Sequence, residues 1–454
     1  MTLTFADLPL RPATIEALRS HGFIAPFAIQ EMVLPIALSD GDVIGQAKTG
    51  TGKTLAFGIP LVERVIAPQD PEWAEFPHAG LPQALVVVPT RELCVQVAKD
   101  IEVLADSRGI RVIAVYGGRA FEPQIEQLQS GVEIVVGTPG RLLDLYRQGK
   151  LKLNKVARLV LDEADEMLDL GFLPDVEKIF TSTPIRQQTM LFSATMPGDI
   201  IALARRFMAQ PVHIRTQDND DESAVVSRVE QHVLRAHALD KIEMLARILQ
   251  ADRRGPTMVF CRTKRTCQKT ADDLLERGFK ATAIHGDLGQ NARERALADF
   301  KAGKSDVLVA TDVAARGIDI DGITHVINYQ CPEDGKTYVH RIGRTARAGA
   351  HGIGVTFVDW DDMTRWSLIN QTLKLGLDEP IETYSSSEHL FTTMHIPVGS
   401  TGRMKPSKPT DHPTRTASAK GKVKVKMEVP PTRPKTERTR TRSKKFKEKA
   451  SEKS

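Results

Sequence analysis

The stretch LVLDEADEML, Leu159 to Leu168, sets a short apolar run against four carboxylates in five residues, Asp162, Glu163, Asp165 and Glu166. Acidic side chains can complement the dipole at a helix start, a gain of a few tenths of a kcal/mol. Alternatively, a bound cation can offset their mutual repulsion. The choice between the two is settled 110 residues earlier, where AKTGTGKT, Ala47 to Thr54, follows the strand-like DVIG and precedes the helix-like LAFGIPLVERVI. This stretch fits G-x-x-x-x-G-K-[ST] with Ala47 in place of the first glycine. Gly50 and Gly52 let backbone N–H groups of Ala47, Lys48, Thr49 and Thr51 wrap phosphates, and the helix start adds positive potential. Lys53 is expected to reach the outer phosphates and Thr54 to place its hydroxyl on Mg²⁺. A nucleotide-bound Mg²⁺ then calls for a carboxylate from a second strand end, and Asp162 supplies it. Glu163 is placed to orient or deprotonate a water. Glu166 reads as a solvated side chain beyond the strand.

Short β-branched runs alternate with longer amphipathic segments, the pattern of β/α units with a buried parallel sheet. DVIG, ALVVVPT, RVIAVYGG, EIVVGTP, RLVLDEAD and TMLFSAT form one series, and TMVFC, ATAIHG, VLVATD, HVINYQ and GVTFVD a second. Between them RTQDNDDESAVVSR, Arg215 to Arg228, has no sustained periodicity and reads as a linker. The expected parse is a first α/β domain over 1–212, a linker over 213–228, a second domain over 229–385, an extension over 386–400 and a tail over 401–454. Most runs end in glycine or polar residues, so both domains present reactive edges at the carboxyl ends of their strands.

The chain has 454 residues and a net charge of +5, but residues 401–454 carry 18 Lys and Arg against five Asp and Glu, leaving an acidic body. The tail is poor in large apolar residues and is expected to be disordered, with electrostatic affinity for a polyanion such as nucleic acid. The four cysteines show no metal or disulfide spacing, which suits a reducing compartment. No apolar run approaches the ~18 residues of a bilayer span, and MTLTFADLPL lacks a signal-peptide pattern. A cytoplasmic protein is expected.

With these residues in place, the sequence from roughly residue 5 to 360 resembles the DEAD-box ATP-dependent RNA helicases, in its bacterial form. The resemblance implies two RecA-like domains with ATP and RNA bound across the cleft between them. In GFIAPFAIQ it implies that Gln30 reads adenine and Phe23 stacks on it, with Phe5 as the upstream aromatic. Phe27 departs from the usual Thr. Thr90 and Arg91 of PTREL, Gly118 of GG, and Thr138, Gly140 and Arg141 of TPGR correspond to RNA-binding motifs. Ser193, Ala194 and Thr195 correspond to the motif that couples nucleotide state to unwinding through Asp165. In the second half, Phe260 and Thr263 of VFCRT, then Gln290 and Arg293, correspond to further motifs, the latter pair on the RNA side. Thr311 and Arg316 are implied to face RNA, and Asp319 the ribose of ATP. Arg344 and Arg347 correspond to arginine fingers, a contribution of about 10³–10⁵ in rate. His340 and Arg341 are implied to dock the domains, and Ala346 replaces a more usual glycine.

The expected activity is an RNA-dependent ATPase and helicase that locally unwinds RNA or remodels RNA–protein complexes. Its implied cofactors are ATP and Mg²⁺, and its partner is RNA, single-stranded or in short duplexes. A monomer with no membrane partner is expected, working on ribosomal or RNA-decay assemblies. Charge alone does not separate RNA from DNA, so a DNA helicase or translocase remains open, as does an RNA clamp without turnover. The full set Lys53, Asp162, Glu163, Arg344 and Arg347 speaks against the clamp.

Overall fold

A computed structural model describes residues 3–47, 50–216, 228–252, 254–316, 318, 320, 322–346 and 351–404. The first sheet contains β1 (Val43–Gln46), β2 (Ala84–Val87), β3 (Val112–Val115), β4 (Ile134–Gly137), β5 (Arg158–Leu161), β6 (Gln188–Ser193) and β7 (Val212–Arg215), in the order β3-β4-β2-β5-β6-β1-β7. The second contains β8 (Val229–Ala236), β9 (Thr257–Phe260), β10 (Ala281–Ile284), β11 (Val307–Ala310), β12 (His325–Asn328), β13 (Gly352–Val358) and β14 (Ile381–Thr383), in the order β10-β11-β9-β12-β13-β8-β14. Every pairing is parallel. Counted within each half, the two strand orders are identical.

Successive residues of a strand point to opposite faces, and here both faces are covered by helices, which is why the runs read as continuously apolar. Ala84, Val86 and Val88 join one core cluster while Leu85 and Val87 join the cluster on the other side. In the second sheet Met258 and Phe260 separate from Val259 in the same way. Each Val, Leu, Met or Phe among them contributes ~1.5–3 kcal/mol on burial.

The duplication extends to individual bonds. The hydroxyl of Thr90 accepts from the N–H of Leu93 at 3.3 Å and caps the helix Arg91–Ala105. The hydroxyl of Thr263 accepts from the N–H of Thr266 at 3.1 Å and caps Lys264–Glu276. Four residues into those helices, Cys94 Sγ lies 3.3 Å from Val136 O on β4, and Cys267 Sγ lies 3.2 Å from Val309 O on β11. Thr90, Cys94, Val136 and Thr138 are each followed 173 residues later by Thr263, Cys267, Val309 and Thr311.

Three strands lie outside the runs expected from sequence. The expected boundary at 212/213 cuts through β7, which pairs with β1, so the first sheet runs on to Arg215. β8 carries Glu230, Gln231 and His232 within it, and β14 is only three residues long. The segment beyond residue 360 packs on the second domain: Trp366 is fully buried with its ring centroid 5.5 Å from that of Tyr338, and Leu390, Met394 and Ile396 join that domain's core. The N–H of Met404 donates to Arg277 O at 2.8 Å. Most of the expected linker, 217–227, and the tail from 405 on lie outside the described residues.

Candidate nucleotide site and interdomain cleft

Leaving β1, the chain turns into the helix Lys53–Arg64. Gly50 and Gly52 hold φ at 85° and 83°, a region other residues enter with strain. Space is closed at Gly52 as well, where a Cβ would lie 2.4 Å from Gln30 Nε2 and 2.8 Å from Phe27 Cδ2. The Gln30 amide, expected to read adenine, is a strut: its Oε1 accepts from the N–H of Phe27 at 2.9 Å and its Nε2 donates to Gly52 O at 2.8 Å. Each group retains capacity for one further bond. Phe27 starts the helix Ala28–Ala37 with no side-chain cap, a loss of about 1 kcal/mol against a hydroxyl residue. Phe5 departs from expectation. At 2% exposure its ring belongs to the first domain's core, so it supports the segment carrying Phe23 and cannot itself stack on a ligand. Phe23 is exposed. Ala47 is buried, its N–H donating to Ser193 O at 3.1 Å; Lys48 and Thr49 lie outside the described residues.

β5 delivers the acidic group. Glu163 has φ of 53°, left-handed for a non-glycine residue, and starts the helix Ala164–Asp169. Such backbone costs of order 1–3 kcal/mol and concentrates at functional sites. Lys53 Nζ donates to Glu163 Oε1 at 2.8 Å, with both side chains almost wholly buried. Burial opposes the charge on Lys53, but Glu163, Asp162 and Asp165 together hold its amine above the ordinary lysine value. Asp162 accepts from the N–H of Glu163 at 3.0 Å. Burial pushes its carboxyl up to about 7, with Lys53 pulling down and Glu163 pushing up. One ammonium thus faces three carboxylates in a dry site that is short of positive charge, and Thr54 lies on the first turn of the adjoining helix. That donor set fits a hard divalent cation shared with phosphate oxygens.

Asp165 turns to β6. Its Oδ2 accepts from the N–H of Thr195 at 2.9 Å and the hydroxyl of Thr195 at 2.7 Å, while its own N–H donates to Ser193 Oγ at 3.2 Å. Burial acts to raise its pKa, but these hydroxyls and Lys53 bring it below the usual value. Asp165, Ser193 and Thr195 of the expected relay are therefore in contact, while Ala194 O accepts from Gln46 Nε2 at 3.4 Å. Glu166 corrects the expectation of a solvated side chain. Its Oε1 is shut from solvent without a hydrogen-bond partner, and burial and Glu163 push the carboxyl up to about 8 against the pull of Arg316 and Arg344.

Across the cleft, Arg344 Nη1 donates to Ile318 O at 3.0 Å, while Asp319 and Arg347 lie outside the described residues. Asp169 binds Lys336 at 2.7 Å and lies 4.0 Å from Arg316 of the second domain. Burial, then Arg344 and Lys336, keep the His340 imidazole below its usual pKa, and Asp165 of the first domain pulls it the other way. Arg341 corrects the expectation of a docking role. It is 1% exposed and clasps Asp312 at 2.6 and 2.7 Å, with Nη1 donating to Asn328 Oδ1 and Gln330 O, all inside the second domain.

The RNA-side residues of the first domain converge. Gly118, with φ of 81°, leaves room for Arg91, whose Nη1 would lie 2.3 Å from a Cβ there. Arg141 donates to Arg119 O at 2.9 Å and leaves a buried Nη1 with no partner. Thr138 and Thr311 each precede a helix, Pro139–Arg147 and Asp312–Ala315, and open space surrounds Gly140. Gln290 and Arg293 instead reach the opposite domain: Arg293 pairs with Glu92 at 3.0 Å, and Gln290 lies 3.4 Å from both Arg91 Nη1 and Glu92 Oε1. Their expected RNA contacts are at present replaced by protein. Glu92, Arg119, Asp169, Glu294 and Lys336 went unread in the sequence because each meets a partner more than 160 residues away.

A tandem parallel-sheet fold with a phosphate loop, an acidic strand end and arginines across a cleft defines a two-domain nucleotide-driven motor. Residues 27–203 match the DEAD/DEAH box helicase family and residues 240–349 the helicase conserved C-terminal domain. The chain is 44% identical over 378 residues to the DEAD-box ATP-dependent RNA helicase CshA of Bacillus subtilis, covering 83% of this chain and 74% of that one. It is 45% identical to CshA of Streptococcus pneumoniae, covering 82% and 68%. Saccharomyces cerevisiae Dbp5 bound to RNA and ADP BeF3 is similar in structure at a TM-score of 0.72 and 29% identity, covering 86% of this chain and 97% of that one. Mss116p bound to ssRNA and AMP-PNP gives 0.71 at 27% identity, covering 87% and 82%. The chain belongs to the DEAD-box ATP-dependent RNA helicases, and its two sheets form the RecA-like pair of that family.

Proposed function

We propose that this helicase hydrolyses ATP at the ends of β1 and β5 and grips RNA along the other side of the same cleft. The buried Lys53–Glu163 pair carries this reading. On ATP binding, Lys53 exchanges Glu163 for phosphate oxygens, and Glu163 is released to orient a water and take its proton at Oε1. Thr54 and Asp162 would hold Mg²⁺, which when bound supplies charge neutralisation at the phosphates. Arg344 and Arg347 complete the site from the second domain, so turnover waits on closure. Gln30 and Phe23 take the base, and Asp319 the ribose.

Thr90, Arg91, Gly118, Thr138, Gly140, Arg141, Thr311 and Arg316 hold the RNA backbone through phosphates and 2′-hydroxyls. The unpartnered donor of Arg141 supports this. Since ATP and RNA both favour the closed cleft, each raises affinity for the other. The protein acts as a cytoplasmic monomer on ribosomal or RNA-decay assemblies. Among the described residues no helix is long and apolar enough to cross a membrane.

ATP turnover measured with single-stranded RNA and DNA of matched sequence tests the choice of nucleic acid. Stimulation by RNA alone is expected, and equal stimulation by both contradicts it. Lys53→Ala should abolish turnover, as should chelation of divalent ions.

A further inference from the structure

Residues 116–121, YGGRAF, join β3 to the helix Glu122–Gln129. The loop is gripped from within its own domain. Arg141 donates to Arg119 O at 2.9 Å and lies 3.7 Å from the centroid of the Phe121 ring, while the Arg91 guanidinium packs on Gly118. From the other side the second domain holds it: the Arg119 guanidinium forms an ion pair with Glu294. Glu294 Oε1 also accepts from Gln290 Nε2 at 3.1 Å and from the Tyr116 hydroxyl at 3.5 Å. The pair sits at the mouth of the cleft, with Arg119 42% and Glu294 33% exposed, whereas Arg293–Glu92 is buried. Arg119, on the loop after β3, and Glu294, on the helix Gln290–Lys301 of the second domain, are 175 residues apart, so the bond can form only when the two domains meet.

We propose that Arg119–Glu294 is a reversible latch that aligns the first domain's RNA-side loop with the second domain when the cleft closes. Exposure suits the role: a solvent-screened pair adds little to the closed state, so the cleft can reopen each cycle. Arg119 and Glu294 are thus positioning residues, acting through the loop that carries Gly118 and is braced by Arg141. The proposal rests on the reading that closure couples ATP to RNA.

Charge reversal provides the test. Arg119→Glu, Glu294→Arg and the double swap are compared for domain closure, read by energy transfer between dyes on the two domains with a non-hydrolysable ATP analogue and oligouridine. The oligouridine concentration for half-maximal ATP turnover is read alongside. Each single reversal is expected to raise that concentration roughly two- to fivefold and lower the closed fraction, and the double swap to restore both. Arg119→Ala and Glu294→Ala, singly and together, repeat the test should a reversal misfold, with non-additive effects expected. A double swap no better than the worse single variant, or additive alanine effects, overturns the latch. So does tighter oligouridine binding by Glu294→Arg together with weaker binding by Arg119→Glu, which would make Arg119 an RNA contact. Failure of the unmodified protein to close would strike the closure reading itself; variants that close as well as a closing parent strike only the latch.

Discussion

Glu166 shows how far one residue can stray from its local sequence. Four acids in a row of ten predict a solvated fourth, yet helix Ala164–Asp169 turns its Oε1 into the protein, beside Glu163 and within the fields of Arg316 and Arg344. Its carboxyl rises from an ordinary 4.5 to about 8. Between those values the folded state binds more protons than the unfolded one, so this group makes stability fall as pH rises through that window. Glu166→Gln should therefore stabilise the protein more at the top of the window than at its bottom, as read by thermal unfolding at both ends; an unchanged pH slope would contradict this. Ala346 presents a simpler case. Standing where the resemblance calls for glycine, it keeps φ at 55°. Ala346→Gly should relieve the strain and stabilise by about 0.5–1 kcal/mol in denaturant titrations, while a lower midpoint would show that the turn is not strained.

At the scale of elements, the central strands were legible because burial on both faces leaves an unbroken β-branched run, as in ALVVV. β7 was not, because it lies at an edge with Val212 and His213 exposed and only Ile214 inside. β8 hid behind Glu230, Gln231 and His232, and β14 behind its brevity. The same logic governs the site. The phosphate loop and DEAD were readable since their residues are neighbours in sequence, whereas the partners of Asp169 and Glu92 depend on how the two halves face each other. Each half also carries its own copy of a threonine-capped helix. Thr90→Ala and Thr263→Ala should each cost about 1 kcal/mol of stability, the usual value of a cap. Loss of RNA-stimulated turnover in Thr90→Ala beyond that stability change would mark the hydroxyl as an RNA contact too, and an unchanged unfolding midpoint would deny it the capping role.

For the whole molecule, both sheets belong to one compact unit whose cleft is lined by complementary charges: Glu92 and Asp169 on one side, Arg293, Lys336 and Arg316 on the other. Because the pairs of Asp169 are partly exposed, the proposed closure should weaken as salt is raised. The basic tail, outside the described residues from 405 on, is expected to add a second electrostatic contribution. Deleting residues 401–454 should weaken RNA binding more at low than at high salt, because displaced counterions drive such contacts; equal affinity of both proteins at low salt would leave the tail without this part. At the centre of the cleft stands the pair that joins the two motifs first read in the sequence. ATP turnover and RNA release by Glu163→Gln test it most directly. Retained ATP binding, turnover lowered by about 10²–10⁴ and slow release of RNA are expected; turnover equal to that of the unaltered protein would deny Glu163 its role.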